Sequence, residues 1–255
     1  MKPILELRKI NFSYHTPAGE TRALSDITLA LAPGEFASVV GPSGCGKSTL
    51  LSLIAGLIKP ESGEILLNGS PLTENSSNIG YMLQHDHLFE WRSVYRNVLL
   101  GLEIRGKLDA ASKKKASQML EQYGLGQFAN VRPSQLSGGM RQRAALIRTL
   151  ILDPELLLLD EPFSALDYQT RLTVSDDIGQ IIRRSGKTAL LVTHDLSEAV
   201  SLADRVFVLS RRPATVSRIV QVTFPPKSNT PLQRRNAPEF KNYFNEIWKE
   251  LNRHE

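Results

Sequence analysis

Four stretches of this chain are apolar almost without a break: "FASVVG" runs to Gly41, "LLLLDE" to Asp160 and Glu161, "ALLVTH" to His194, and "VFVLS" is the fourth. A strand with one face in water alternates apolar and polar residues; an unbroken apolar run is buried on both faces. Such strands need helices to cover them, and helical patterns lie between these runs. "STLLSLIAGL" carries its leucines and isoleucine at helical spacing from Ser48 and stops at Gly56, and "RQRAALIRTLIL" runs up to Asp153-Pro154. The chain is therefore predicted to be α/β, built around a parallel sheet. In such sheets functional residues gather beyond the carboxyl ends of the strands. Gly41, Asp160, Glu161 and His194 all fall there.

The first run is followed by Gly41, Pro42, Ser43, Gly44, Cys45, Gly46, Lys47, Ser48 and Thr49. A glycine, four residues, then Gly-Lys-Ser, set between a buried strand and a helix, is the phosphate-binding loop pattern. Glycines let backbone N–H groups converge on phosphate oxygens, and the helix N-terminus adds partial positive charge. Lys47 is expected to bridge the β- and γ-phosphates of a nucleotide, the Ser48 hydroxyl to bind Mg²⁺, and Thr49 to contact the α-phosphate. Asp160 can hold Mg²⁺ through water, and Glu161 can take a proton from an attacking water. Cys45 fills an unspecified position of the loop.

The remaining segments are read more coarsely. Residues 4–12 are expected to be a strand, and Pro33-Gly34 a turn between two strands. "KPESGEILLNG" is loop then strand. Residues 79–105 mix short strand, loop and helix. A helix is predicted from an Asp109 N-cap to a stop at Gly124. "TFPPKSNTPLQRRNAPEF" after Val222 is proline-rich and expected to be a loop. Beyond it Phe240, Tyr243, Phe244, Ile247, Trp248 and Leu251 share one helical face, which either packs on the chain's own body or docks a partner.

"LSGGMRQR", Leu136–Arg143, is a second glycine pair opening a second helix, and so a second anion-binding end. One nucleotide does not need two such ends from one chain; a dimer clamping nucleotide between protomers does. The stretch resembles the signature of ATP-binding cassette (ABC) ATPases. The resemblance covers most of residues 4–222, because the phosphate loop, Gln84 after "IGYML", the signature, "LLLLDEP", "SALD" and His194 occur in family order. It implies a P-loop NTPase-type parallel sheet core with an antiparallel β subdomain and a small helical subdomain at about 86–148. The ATPase domain would span 1–225, with a linker and amphipathic helix over 226–255. Ser137, Gly138 and Gly139 would contact the γ-phosphate held on the opposite subunit, and Met140 stands where many relatives have glutamine. Gln84 resembles the family's metal- and water-sensing glutamine, and His194 the switch histidine at the γ-phosphate. Asp167 resembles the loop aspartate that links the two sites, and Tyr14 the aromatic that stacks on adenine. ATP and Mg²⁺ are the implied cofactors, with Ser48, Gln84 and Asp160 around the metal.

Within the family, "EWRSVYRNVLLGLE", "LDEPFSALDYQTR" and "VLSRRPATV" look like the importer ATPases of the nitrate, sulfonate and taurine group, which also serves bicarbonate and thiamine-precursor pyrimidines. That likeness implies an integral-membrane permease, a second copy of this chain, and indirectly a solute-binding protein. The segment His85–Glu103 is the candidate coupling surface; its aromatics Phe89, Trp91 and Tyr95 either meet a partner helix or pack inside the helical lobe.

Other classes fit less well. A soluble ABC ATPase of repair type would carry a long coiled coil between phosphate loop and signature, and ribosomal members usually carry two cassettes. An exporter is disfavoured by the importer-like coupling segment. A non-catalytic scaffold is disfavoured by an intact Glu161 and His194. The net charge of +5 is spread along the chain, as on solvated faces, so no nucleic-acid partner is expected. His85-Asp86-His87 could begin a zinc site, but no further cysteine or histidine cluster completes it. One cysteine leaves no internal disulfide, and no apolar stretch nears the ~18 residues of a membrane span. The expected location is cytoplasmic, peripheral on the inner face of the membrane.

Overall fold

The computed structural model describes residues 2–17, 19–72 and 78–253. Strands β1 (Leu5–Thr16) and β2 (Gly19–Leu31) pair antiparallel; β3 (Phe36–Val40) leads into the glycine loop and helix α1 (Lys47–Ile54). Next come β4 (Ser62–Leu67), β5 (Ser70–Pro71) and β6 (Ile79–Met82), then helices α2 (Val94–Ile104), α3 (Ala110–Gln122) and α4 (Gly138–Leu150). Strand β7 (Leu156–Asp160), helix α5 (Tyr168–Ser185), strand β8 (Thr188–Val192), helix α6 (Leu196–Leu202) and strand β9 (Arg205–Leu209) alternate. Strand β10 (Val216–Gln221) and helices α7 (Pro231–Arg235) and α8 (Phe240–Asn252) complete the order.

The strands form two sheets. One is antiparallel, ordered β2-β1-β4-β5; the other has six strands, ordered β10-β9-β3-β8-β7-β6. From β9 to β6 every pairing is parallel, and only the edge strand β10 runs against its neighbour.

Why the apolar runs are unbroken is visible at β7. Leu157 and Leu159 enter one core, shared with α4, α5 and α6; Leu156 and Leu158 enter another, shared with α1 and the antiparallel sheet. Successive strand side chains point to opposite faces, so a strand between two cores needs a hydrophobe at every position. All four leucines are fully buried, each contributing roughly 1.5–3 kcal/mol. β8 divides its residues in the same way, with Ala189 and Leu191 on one side and Leu190 and Val192 on the other.

A third core holds α2, α3 and α4 together through Val94, Val98, Leu120, Ala144 and Ile147. Asp109 caps α3 with a reciprocal Ser112 bond, and Gly124, at φ +72°, follows its end in a left-handed conformation.

Two points differ from the sequence reading or decide between its options. The proline-rich stretch after Val222 is not wholly loop: Thr230 caps α7 and the Gln233 side chain returns to the Thr230 N–H at 3.1 Å. Pro231 sits in the first turn, where its missing N–H costs nothing, so a residue taken as a breaker is here a helix starter. The C-terminal stripe packs on the protein's own body: Ile247 is fully buried in the first core, with Phe240, Tyr243, Phe244 and Leu251 against it. Trp248 is the half-exposed member. Among the described residues no helix is long and apolar enough to cross a membrane.

Candidate active site

The loop from Gly41 to Gly46 turns sharply enough to need left-handed backbone at Gly44 (φ +71°) and Gly46 (φ +124°). At Gly46 a side chain is excluded twice over, by conformation and because a Cβ would lie 2.8 Å from Leu24 Cδ2. Lys47 opens α1 and is only 7 % exposed; its Nζ donates to the Gly41 and Pro42 carbonyls at 2.9 and 3.0 Å. The ammonium is thereby folded back over the loop's own backbone. Cys45 is buried, and that burial pushes its thiol up, against the pull of Lys47.

The parallel register delivers the acids. Asp160 pairs with Val192 across β7 and β8, and the Glu161 N–H donates to the Val192 carbonyl at 2.9 Å. Ser48 Oγ donates to Asp160 Oδ1 at 3.4 Å, and the Tyr81 hydroxyl to Oδ2 at 3.3 Å. Burial pushes the Asp160 carboxyl up and Glu161's charge adds to that; the Tyr81 and Ser48 hydrogen bonds and Lys47 pull it back. The Tyr81 phenol is pushed up by its own burial and then by Asp160. Glu161 has φ +43°, an uncommon conformation for a non-glycine residue, and its Oε2 lies 3.0 Å from His194 Nδ1. Lys47, Ser48, Thr49, Glu161, His194 and Arg212 line one open cavity of about 470 Å³.

Other expected residues stand around this centre. The Tyr14 hydroxyl is 2.9 Å from Thr49 Oγ1, and its ring meets Phe12 edge-on, leaving Tyr14 41 % exposed at the rim of the loop. Gln84 Nε2 donates to Ser164 Oγ at 3.3 Å, and Ser164 in turn to the Glu161 carbonyl at 2.9 Å. Asp167 caps α5 by accepting from the Thr170 N–H at 3.0 Å, and this contact holds its carboxyl below the usual carboxylate range.

The glycine pair of the second motif sits elsewhere. Ser137 caps α4. A Cβ on Gly138 would lie 2.8 Å from Leu166 Cδ2, and one on Gly139 would lie 2.5 Å from Val174 Cγ2. The glycines let the start of α4 close on α5 and on the turn before it. Ser137, Gly138 and Gly139 are not among the residues lining the Lys47 cavity.

Several site residues escaped the sequence reading. Tyr81 was one unmarked position of a short strand. Arg212, after β9, reaches back to donate to the Gly44 carbonyl at 2.5 Å. Asp86 accepts from Arg141 at 2.9 and 3.3 Å, and Arg148 donates to the Asp86 and His87 carbonyls. The His85–His87 loop is thus pinned to α4, a structural use for Asp86 in place of metal ligation. Asp86 is pushed up by burial, yet the Arg141 contact and the Leu88 N–H outweigh that and hold it below its ordinary value. Of the three aromatics in the following segment, Phe89 and Trp91 stack at 4.6 Å with Trp91 73 % exposed, whereas Tyr95 packs against the helical core.

The donor set beside the loop suits a small hard cation. A hydroxyl and a carboxylate converge at Ser48 and Asp160; phosphate-site Mg²⁺ needs no more from the protein, since substrate phosphates and water complete its shell.

Residues 24–164 match the family model described as "ABC transporter". The chain is 46% identical over 248 residues to an uncharacterized ABC transporter ATP-binding protein, YtlC of Bacillus subtilis, covering 97% of this chain and 95% of that one. It is 41% identical over 247 residues to the nitrate import ATP-binding protein NrtD of Synechocystis, covering 95% and 93%. It is 41% identical over 218 residues to the taurine import ATP-binding protein TauB of Pelagibacter ubique, covering 85% and 82%. Among solved structures, the dimeric post-hydrolysis ATP-binding cassette MJ0796 bound to ADP and Pi superposes with a TM-score of 0.73 at 31% identity, covering 87% of this chain and 100% of that one. CbiO1 of Clostridium perfringens, part of the transporter complex cbiONQ, gives 0.74 at 28%, covering 86% and 88%.

Proposed function

This chain belongs to the ABC transporter family, and from that membership we propose that it is the ATP-hydrolysing subunit of a membrane importer. It works as a pair of copies against a separate permease. Its cargo is a small solute of the kind carried by the nitrate and taurine systems among its relatives. Residues 1–225 act as the nucleotide-binding unit and 226–255 as its tail. The place of work is the cytoplasmic face of the membrane.

One observation carries the reading. Lys47, Ser48, Glu161 and His194 meet around a single cavity, while the anion-binding end at Ser137–Gly139 stands apart on α4. A triphosphate gripped by Lys47 on one copy and by the glycine pair of a second copy joins the two, and loss of the γ-phosphate loosens them. Glu161 takes the proton of the attacking water. The strained backbone and the His194 contact hold its carboxylate in one place, and His194 keeps the γ-phosphate in line. Asp167, at the head of α5, faces the second copy, and Tyr14 carries the adenine. Ser48, Asp160 and Gln84 would hold Mg²⁺, which would supply charge neutralisation for a bound triphosphate. The stacked Phe89 and Trp91 give the permease an exposed aromatic foothold.

The test is Glu161→Gln. Removing the base should lower turnover by about 10²–10⁴-fold, leave ATP binding in place and trap a dimer seen by size-exclusion chromatography with ATP. A variant that stays monomeric with ATP bound would refute the composite site. Wild-type ATPase stimulated by a reconstituted permease and candidate solutes identifies the cargo.

A further inference from the structure

Glu198, in the first turn of α6, is a carboxylate that the phosphate chemistry does not use and that is almost completely buried, at 3 % exposed. It lies directly behind the His194 loop. The Thr193 hydroxyl donates to Glu198 Oε2 at 2.7 Å and accepts from the Asp195 N–H at 3.0 Å. Asp195 Oδ1 takes the Ser197 and Glu198 N–H groups, so the residues on both sides of His194 are fixed by one small network. Arg171 of α5 ties the same network to the turn that carries Asp167: it lies 3.6 Å from Asp195 Oδ2 and donates to the Leu166 carbonyl at 3.0 Å.

The tail packs on α5 and the end of α6, beside this network. The Leu232 N–H donates to Asp176 Oδ1 of α5 at 2.8 Å, and Arg234 donates to the Ala203 carbonyl at 3.2 Å and lies over the Phe224 ring. Pro231 approaches α5 where Gly179 has no side chain; a Cβ there would sit 2.9 Å from Pro231 Cγ. These contacts drive Arg235 inward. It donates to Ser175 Oγ at 2.9 Å, while its Nε and Nη1 are buried with no hydrogen-bond partner among the described residues. Burial pulls its ionisation down, and the charges of Asp195, Glu198 and Asp176 oppose that. A buried guanidinium with two idle donors is costly unless nearby carboxylates compensate it.

We propose that the short helix Pro231–Arg235 is a clip, and that Arg235 is a positioning residue which, through Glu198, Asp195 and Thr193, holds the His194 loop in its working geometry. The inference rests on the reading of His194 as the residue that senses the γ-phosphate. It gives the tail a part in turnover although none of its residues lines the Lys47 cavity. The charges that reach Glu198 are Asp195, which disfavours its ionisation, and Arg171 and Arg235, which favour it; burial is larger than all of these and raises it to about 7. Removal of Arg235 therefore raises it further.

The experiment compares wild type, Arg235→Gln, Arg235→Lys and the double variant Arg235→Gln/Glu198→Gln. It measures ATPase kcat and KM across pH and the affinity for a fluorescent ATP analogue. Arg235→Gln is expected to lower kcat by roughly tenfold or more, as misplacement of a reacting group does, with KM and nucleotide affinity unchanged. Its kcat inflection moves to higher pH. In the double variant the inflection disappears and most of kcat returns. Wild-type kcat with an unmoved profile in Arg235→Gln overturns the clip. If circular dichroism shows that Arg235→Gln does not fold, Arg235→Met, which keeps the aliphatic stem and drops the charge, takes its place under the same criterion; Arg235→Lys, which keeps the charge, is expected to stay near wild type in kcat and profile, and an Arg235→Lys protein as slow as the neutral variant overturns the clip. A wild-type protein without ATPase activity overturns both the site reading and the clip that rests on it; an active wild type with indifferent Arg235 variants overturns the clip alone.

Discussion

Replacing Glu198 by Gln tests the cost of placing a carboxylate behind the His194 loop. In the folded protein its ionisation is delayed to about 7, against an ordinary value of 4.5, because burial outweighs the Thr193 hydrogen bond and the two arginines. The sign follows from proton counting. Below about pH 4.5 the group is protonated whether folded or unfolded and contributes no difference. Between about 4.5 and 7 the folded state holds the proton that the unfolded chain has released, so stability falls as pH rises. Above about 7 both states are ionised and the full cost is present. A displacement of about 2.5 units at 1.36 kcal/mol each comes to about 3 kcal/mol. Since the side chain is buried, solvent screening does not reduce it. Glu198→Gln keeps the shape and the Thr193 contact but cannot ionise. Urea unfolding of both proteins at about pH 5 and pH 8 should therefore show the variant gaining about 2.5 kcal/mol on wild type between the two conditions, since part of the cost is already present at pH 5, whatever constant offset the substitution brings. A stability difference that does not change with pH would refute the buried, proton-holding state of Glu198.

Two further outcomes follow from packing. Gly139→Ala puts a methyl group into Val174 and should destabilise the protein by roughly 1–3 kcal/mol in thermal or urea unfolding; adding Val174→Ala should recover part of that loss, and a single variant as stable as wild type would mean that α4 does not need to sit this close to α5. Cys45, buried and with its thiol pushed up, should react with a bulky maleimide far more slowly in the native protein than in urea, with mass spectrometry as the readout; equal rates would show an open loop.

Much of the site was readable residue by residue. Gly41 to Ser48 is a local pattern whose glycines, lysine and hydroxyl do their work within one turn of chain, and the capping of α3 by Asp109 is equally local. Asp160, Glu161 and His194 could be grouped because they end buried strands, and parallel strands bring their carboxyl ends to one edge. Tyr81 could not be singled out, since its partner Asp160 is far along the chain and nothing in "IGYML" marks it. Nor could the use of Asp86 be read, since Arg141, its partner, lies two helices further along the chain. The proline-rich tail hid α7 because Pro231 reads as a breaker unless Thr230 and Gln233 are seen to close around it.

Periodicity, glycine placement and strand-end chemistry thus announced a phosphate-handling α/β protein, because burial on two faces and left-handed turns leave their mark on neighbouring residues. Which glutamate lies behind the histidine, which arginine of the tail is buried against α5, and why the two glycines of the second motif admit no side chain became known when the elements were packed. Those contacts join residues remote in the chain, and their energies depend on distance and burial, which no short stretch of amino acids records.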